Sequence, residues 1–442
     1  MTQYSTSGKG ITMNTRSKNK TCSGKQRNKG YFFKKICFTL LTTGTFFGGG
    51  NPKVEAQTII KNDSIKPYIN FLERDRSLSS REYIFSKFET HDIVILSERF
   101  HQEMTQYDMI MEVVKDERFK GHIYTEIGHV NLYEKFNNFL MNATLTEEEK
   151  EKELLSIYRD LCPSLVWGAY NYYHMLNEVW ALNKDRNKED KILIFPTDVP
   201  FDYNEIQTHR EWDIHYNLFF NSIFRDQIMA MNFVDYYEEV KKEKRKALVI
   251  LNSMHAYKRN PTYLSLPTRP LIRRAGEFIY KTYPEETFVI YINSCNIDNF
   301  KLSNHGIIDA AFEYTKKDDI GFDLKDTTIG NTKFDLYFTY AADYFDLNIN
   351  YDYLFDGMIY YKPLKEMVIK MGIPDIYSKE YEDMYYRRAA LMSNKKFEEA
   401  KNDEEYRKAL EQINNPAIIP LDDYFGDGVV ESWDKQIQKW IE

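Results

Sequence analysis

Six short apolar runs recur along the chain: 92–97 "DIVILS", 122–127 "HIYTEI", 192–197 "ILIFPT", 247–252 "ALVILN", 287–293 "TFVIYIN" and 356–361 "DGMIYY". The first is continuous and β-branched, as expected of a strand buried on both faces. The stretches between the runs carry apolar residues at three- and four-residue spacing and read as helices at 103–119, 131–141, 146–160, 168–185, 215–243 and 270–282. Strands alternating with helices predict an α/β fold with a mostly parallel central sheet flanked by helices. Residues 300–350 break the pattern with Asp, Asn, Gly and aromatics, predicting an irregular excursion with a short strand or two over the sheet edge or the site. Residues 376–442 are Tyr- and charge-rich with helical spacing, interrupted by Pro416 and Pro420 before a last short helix at 429–441. Being poor in aliphatic residues, they read as a helical C-terminal appendage on a main domain of residues 57–375.

The first 56 residues are of another kind. They hold ten Lys/Arg and one acid, Glu55, then the apolar run "ICFTLLTTGTFFGGG" and "VEAQ", with Val54 and Ala56 at −3 and −1 of a cut. This predicts a signal peptide at 1–56, cleaved after Ala56, and a periplasmic or extracellular protein with no stable membrane span once the leader is gone. Removing the leader removes Cys22 and Cys37, leaving Cys162 and Cys295 as a pair that an oxidising compartment could join. It also exposes the working charge: 49 basic against 66 acidic residues in 57–442, a net of −17. Such a surface repels phosphate backbones, so nucleic acid is not an expected partner.

In open α/β sheets, ligands bind beyond the carboxyl ends of the strands, where loops converge on helix N-termini. Here the first strand ends in Ser97-Glu98 with His101 one turn on, and the second in Glu126 with His129 behind it. The third ends in Thr197-Asp198 and the fourth in Asn252-Ser253, followed by His255. Singly, each reads as a helix cap or a hydrogen-bonded turn residue. Together they would line one crevice with the composition of an acid/base or metal site.

The same residues resemble the erythromycin esterase family. That family's Gly-Glu-x-x-His strand end is matched by "LSERFH", which keeps Glu98 and His101 and has Ser97 in place of the glycine. The glutamate ending its second strand is matched by Glu126 in "IYTEIG". Its Arg-Asp-x-x-Met-Ala-x-Asn helix is matched by "RDQIMAMN" at 225–232, and its Asn-x-x-His strand end by "LNSMH", giving Asn252 and His255. Late in the chain, "FDGMIYY" (355–361) looks like the family's closing strand, so the likeness spans most of residues 90–365.

The resemblance implies hydrolysis of a small-molecule ester or lactone, with no cofactor. His101 would take a proton from water, Glu98 or Glu126 would orient the ring or the water, and His255 or Arg225 would stabilise the oxyanion. Asp198, Asn252 and Tyr107 are expected to contact substrate. Because it belongs to the helix motif, Arg225 is expected to matter more for function than for stability. A Gly-x-Ser-x-Gly elbow is missing, and Cys162 in "LCPS" has no neighbouring His, so covalent catalysis is not expected. Two other classes remain open at this level. His101, His255, Glu98 and Glu126 are suitable ligands for a divalent metal, giving a metal-dependent hydrolase or a metal- or haem-binding protein. Thirty-four tyrosines, Tyr170, Tyr172 and Tyr173 among them beside the site, would also suit a non-catalytic surface protein that binds a sugar or peptide.

Overall fold

The computed structural model describes residues 62–74, 77–161, 169–217, 224–259, 273–296, 299–335 and 349–442. The expected leader and Cys162 lie outside the described residues, and with them the expected disulfide; Cys295 is buried. Among the described residues, seven strands make one sheet. They are β1 (Ile93–Glu98), β2 (Gly121–His129), β3 (Ile194–Asp198), β4 (Lys246–Asn252), β5 (Thr287–Ile292), β6 (Asp319–Asp323) and β7 (Gly357–Tyr361). Their order is β3-β2-β4-β1-β5-β7-β6, and every pairing is parallel except that of β6 with β7. The apolar runs form strands because every position of β1, β2, β3, β5 and β7 is buried. Burying a Val, Ile or Leu there contributes about 1.5–3 kcal/mol per side chain.

The helices that cover the sheet are α1 (Lys66–Arg74), α2 (Ser80–Phe88), α3 (Thr105–Lys115), α4 (Tyr133–Met141), α5 (Glu147–Asp160), α6 (Tyr170–Lys184), α7 (His209–His215), α8 (Arg225–Val240), α9 (Ala275–Thr282) and α10 (Ile307–Thr315). Alternation along the strands sends one set of side chains to each face. Val94 and Leu96 of β1 join the core under α2 to α6, and Ile93 and Ile95 the core under α1, α8, α9 and α10.

Two stretches differ from the sequence expectation. Of the long helix expected over 215–243, residues 218–223 lie outside the described residues; α7 ends at His215, α8 begins at Arg225, and a 3-10 turn at Lys241–Glu243 follows. The excursion at 300–350 contains α10, whose entry runs through Asn304, His305 and Gly306 with φ of 48°, 58° and 82°. Asn and Gly, the residue types that read as loop, are those that take left-handed backbone most readily. Its strand, β6, caps the edge of the sheet as expected.

The C-terminal region holds helices at Glu382–Ser393, Phe397–Lys401, Glu404–Asn414, Leu421–Phe425 and Val429–Ile441. Two short strands, β8 (Ile369–Met371) and β9 (Ala417–Ile419), form an antiparallel pair, with β9 between Pro416 and Pro420. The region is tied to the core: Trp433, Ile437 and Ile441 are buried in it, and Phe425 packs on Phe100 with ring centroids 5.0 Å apart. It also braces the segment after β1. Tyr424 donates to Gln102 Oε1 at 2.6 Å, and the Met104 amide donates to the Val368 carbonyl at 2.8 Å. No helix of the described residues is long and apolar enough to cross a membrane.

Candidate functional site

The central strand β1 lies between β4 and β5, and the chain builds β2, β3 and β4 on one side of it before crossing to the other. The carboxyl end of β1 is therefore at the point where strand order reverses, the usual ligand position in such sheets. Glu98 closes β1 and is the register partner of Asn252 at the end of β4. Ser97, where the resembling family has glycine, is an in-register strand residue paired with Leu251 and Tyr291 and has no left-handed backbone. Nothing in this local geometry requires glycine.

The segment Arg99–Met104 turns the chain from β1 into α3 and is held by its own polar groups. Glu103, fully buried, accepts the amides of Thr105 at 2.8 Å and Gln106 at 3.0 Å, placing a carboxylate on the N-terminus of α3. Gln106 accepts the Arg99 amide at 2.8 Å and donates to the Phe100 carbonyl at 2.8 Å. His101 is therefore carried on a braced turn. Its Nδ1 lies 2.7 Å from Glu98 Oε2. A carboxylate can only accept, so Nδ1 carries the hydrogen and Nε2 is the basic nitrogen of the neutral ring.

Glu98 is 1% exposed and its remaining oxygen is also occupied: the hydroxyls of Tyr107, on α3, and Tyr172, on α6, each donate to Oε1 at 2.8 Å. Burial and the adjacent Glu98 charge hold both phenols well above their ordinary pKa, so both stay donors. Tyr107 is itself fully buried, spending its hydroxyl on Glu98.

A second cluster comes from the other face. β2 carries an irregularity between Thr125 and His129, where Gly128 has φ +108° and a Cβ would stand 2.8 Å from Pro196 Cβ. Such bulges re-aim side chains beside functional sites. Glu126, within it, accepts the Asn252 amide at 2.8 Å and Arg225 Nη2 at 3.1 Å, and lies 3.6 Å from His255 Nε2. Arg225 also grips Asp198 with two bonds, Nε to Oδ1 at 2.8 Å and Nη2 to Oδ2 at 2.9 Å. His255 turns its Nδ1 to Asp226 Oδ1 at 2.7 Å, and Asp226 also accepts the Ala275 amide at 2.8 Å. Two imidazoles, each backed by a carboxylate, thus rise from opposite faces of one sheet end. The His101 and His255 side chains are 17% and 14% exposed, against 1% and 2% for those of Glu98 and Glu126, so the imidazoles are the groups that reach outward.

The clusters are electrically coupled. Burial would lower the His101 pKa, but Glu98 and then Glu126 overcome it and hold the ring above its ordinary 6.5, with Arg225 opposing. Burial would raise Glu126, but His255, Arg225, His101 and the Asn252 amide hold it at about 2. Asp226 is likewise held at about 2 by His255 and Arg274 against its burial.

A folded-state pKa below the unfolded one means that the ionised group favours folding. That stability is fully present above pH 4.5 and is lost as pH falls toward about 2. Urea midpoints should therefore drop steeply over this interval for the wild type and less steeply for Glu126→Gln. Parallel curves would show that Glu126 contributes nothing to acid stability.

Of the residues singled out from sequence, Glu98, His101 and Tyr107 form one cluster and Glu126, Asp198, Arg225, Asn252 and His255 the other. His129 is spent structurally at its Nδ1, which bonds to the Val199 carbonyl at 2.8 Å, and burial lowers its pKa against the opposing charge of Asp198. Asp226 stood out only as part of the 225–232 motif and Tyr172 only as one of several tyrosines beside the site, and neither was given a catalytic role. Among the described residues, no three His, Cys, Asp or Glu side chains converge as a metal set.

No family model matches the chain, and none of the curated proteins does. Among solved structures it is similar to a Bacillus cereus protein determined as a structural-genomics target, at 12% identity and TM-score 0.43, over 67% of this chain and 96% of that one. It is similar to a succinoglycan biosynthesis protein at 11% identity and TM-score 0.40, over 70% and 98% of the two chains. The haem-binding ChaN of Campylobacter jejuni aligns at 15% identity and TM-score 0.33, over 52% of this chain and 91% of that one.

Proposed function

We propose that the protein is an exported hydrolase of the erythromycin esterase-like type, cleaving a small-molecule ester or lactone with His101 as general base on water. The observation that carries the reading is the His101–Glu98 pair, 2.7 Å apart at the strand-order reversal, with a second carboxylate-backed imidazole, His255, at the end of the neighbouring strand β4. Neutral His101, with its hydrogen on Nδ1, takes a proton from water at Nε2, and Glu98 stabilises the imidazolium that forms. The water oxygen bonds to the substrate carbonyl carbon. When that tetrahedral species collapses, the carbon–oxygen bond breaks and the proton that His101 took from water passes from its Nε2 to the departing alkoxide. Arg225 is engaged by Asp198 and Glu126, so its part is to hold Glu126 beside His255 rather than to bind the oxyanion directly.

Hydrolysis of a panel of esters and lactones by the purified protein, with and without chelator, tests this. No hydrolysis above the uncatalysed rate would sink it. Loss on chelation with recovery on zinc or manganese would transfer His101 and His255 to a metal-dependent reading. Export rests on the basic region, apolar run and Val-x-Ala site of residues 1–56. The native protein should begin near Gln57, and N-terminal sequencing that found Met1 or Met13 would remove the export half of the proposal.

A further inference from the structure

We infer that Tyr107 and Tyr172 are positioning residues for His101, acting through Glu98; the inference rests on the general-base reading of His101. A carboxylate buried to 1% exposure is costly unless its lone pairs are filled. Here the filling is divided between its two oxygens. Both tyrosine hydroxyls go to Oε1 at 2.8 Å, and the His101 Nδ1–H goes to Oε2 at 2.7 Å. The division fixes the plane of the carboxylate and so the direction of the imidazole.

Tyr172 has a second contact that Tyr107 lacks. Its hydroxyl oxygen is 2.9 Å from His101 Nδ1, so it stands beside both members of the pair. The two tyrosine rings meet edge to face at 5.2 Å and 86°, each limiting the other's movement. They come from different helices, α3 and α6, so Glu98 is located by the packing of two elements and not by its own strand alone. The other charged groups that act on His101 are Glu126, from β2, and Arg225, from α8, and neither touches Glu98 Oε1.

Tyr→Phe substitutions keep the rings and remove only the hydroxyls, which makes them a clean test. In the double variant Tyr107→Phe/Tyr172→Phe, Glu98 keeps a single side-chain donor, His101, and its carboxylate is free to rotate. We expect kcat to fall about tenfold or more with KM unchanged, because the loss concerns the orientation of the base and not substrate contact. Tyr172→Phe alone should cost more than Tyr107→Phe alone. The Nδ1–H proton of His101, held on Glu98 in the wild type, should be displaced or broadened in the nuclear magnetic resonance spectrum of the double variant.

A merely structural role would lower the unfolding midpoint and leave both kcat of the folded fraction and this resonance as they were, and that result overturns the inference. A changed resonance with unchanged kcat overturns it equally, since the ring would then be held without consequence for the reaction. If the wild type hydrolyses no ester, the general-base reading has failed. The resonance comparison then decides on its own whether the tyrosines position His101.

Discussion

Replacing His101 with alanine should lower turnover by roughly 100-fold or more while leaving the protein folded. The side chain is 17% exposed and hydrogen-bonds to Glu98 and Tyr172 within the site, so the apolar core is left in place. Glu98 loses one donor of three, a cost of about 1–3 kcal/mol that a core of this size tolerates. His101→Gln should be equally inactive, because an amide can hold a water but cannot take its proton. The pH dependence follows from the sign of the shift. The base acts when unprotonated, and Glu98 and Glu126 hold its pKa above the ordinary 6.5 in spite of burial, so the rate should rise with pH through a value above 6.5. Glu126→Gln removes one of the charges that lift it, and the limb should move to lower pH. Ester hydrolysis by wild type and the three variants across pH measures all of this. Unchanged turnover in both His101 variants would remove it from the mechanism, and an acid limb below 6.5 would assign the titration to another group.

The strands were legible in the sequence because a parallel sheet covered on both faces leaves continuous apolar runs, as in Ile93–Leu96 and Ala247–Leu251. β6 was legible only as an unplaced strand, because only its three central residues are buried and both ends are exposed Asp. α10 was not legible as a helix: the left-handed backbone of Asn304, His305 and Gly306 at its start carries the residue types of a loop. β9 is three residues between two prolines, too short to signal itself.

At the site, position within the topology carried most of the information. Glu98, Glu126 and His255 stand out because a polar side chain in or just after the last residues of a buried run lies near the strand's carboxyl end, which in a parallel sheet is where ligands collect. The pairing among them could not be read, since it depends on which helix faces which strand. Asp226 reads as an acid in the first turn of α8 favouring the helix dipole, and its bond to His255, 29 residues on, has no local signature. Tyr172 sits in the run "YNYYH", where the sequence does not say which tyrosine turns inward. Of the tyrosines among the described residues, Tyr172 and Tyr107 are the two that donate to Glu98.

Arg225 is where the structure changes the expected outcome most. From its motif it was expected to serve function more than stability. Its side chain is 10% exposed and stands between Asp198, 0% exposed, and Glu126, 2% exposed. Because α8 begins at Arg225, the guanidinium projects from the first turn of the helix toward the ends of β2 and β3. Removing one partner of a buried ion cluster leaves the others uncompensated, so Arg225→Ala should destabilise the protein by about 3–5 kcal/mol. Turnover should fall with it, because Glu126 loses the group that places it beside His255. Arg225→Lys should lie between, since an ammonium cannot reproduce the two-bond grip on Asp198. Adding Asp198→Asn to Arg225→Ala should cost much less than the sum of the two single changes, because it removes one of the stranded charges. Chemical denaturation of the four proteins measures the coupling. Should Arg225→Ala unfold at the wild-type midpoint while turnover is lost, the guanidinium would act on substrate, and the sequence-based expectation would be right after all.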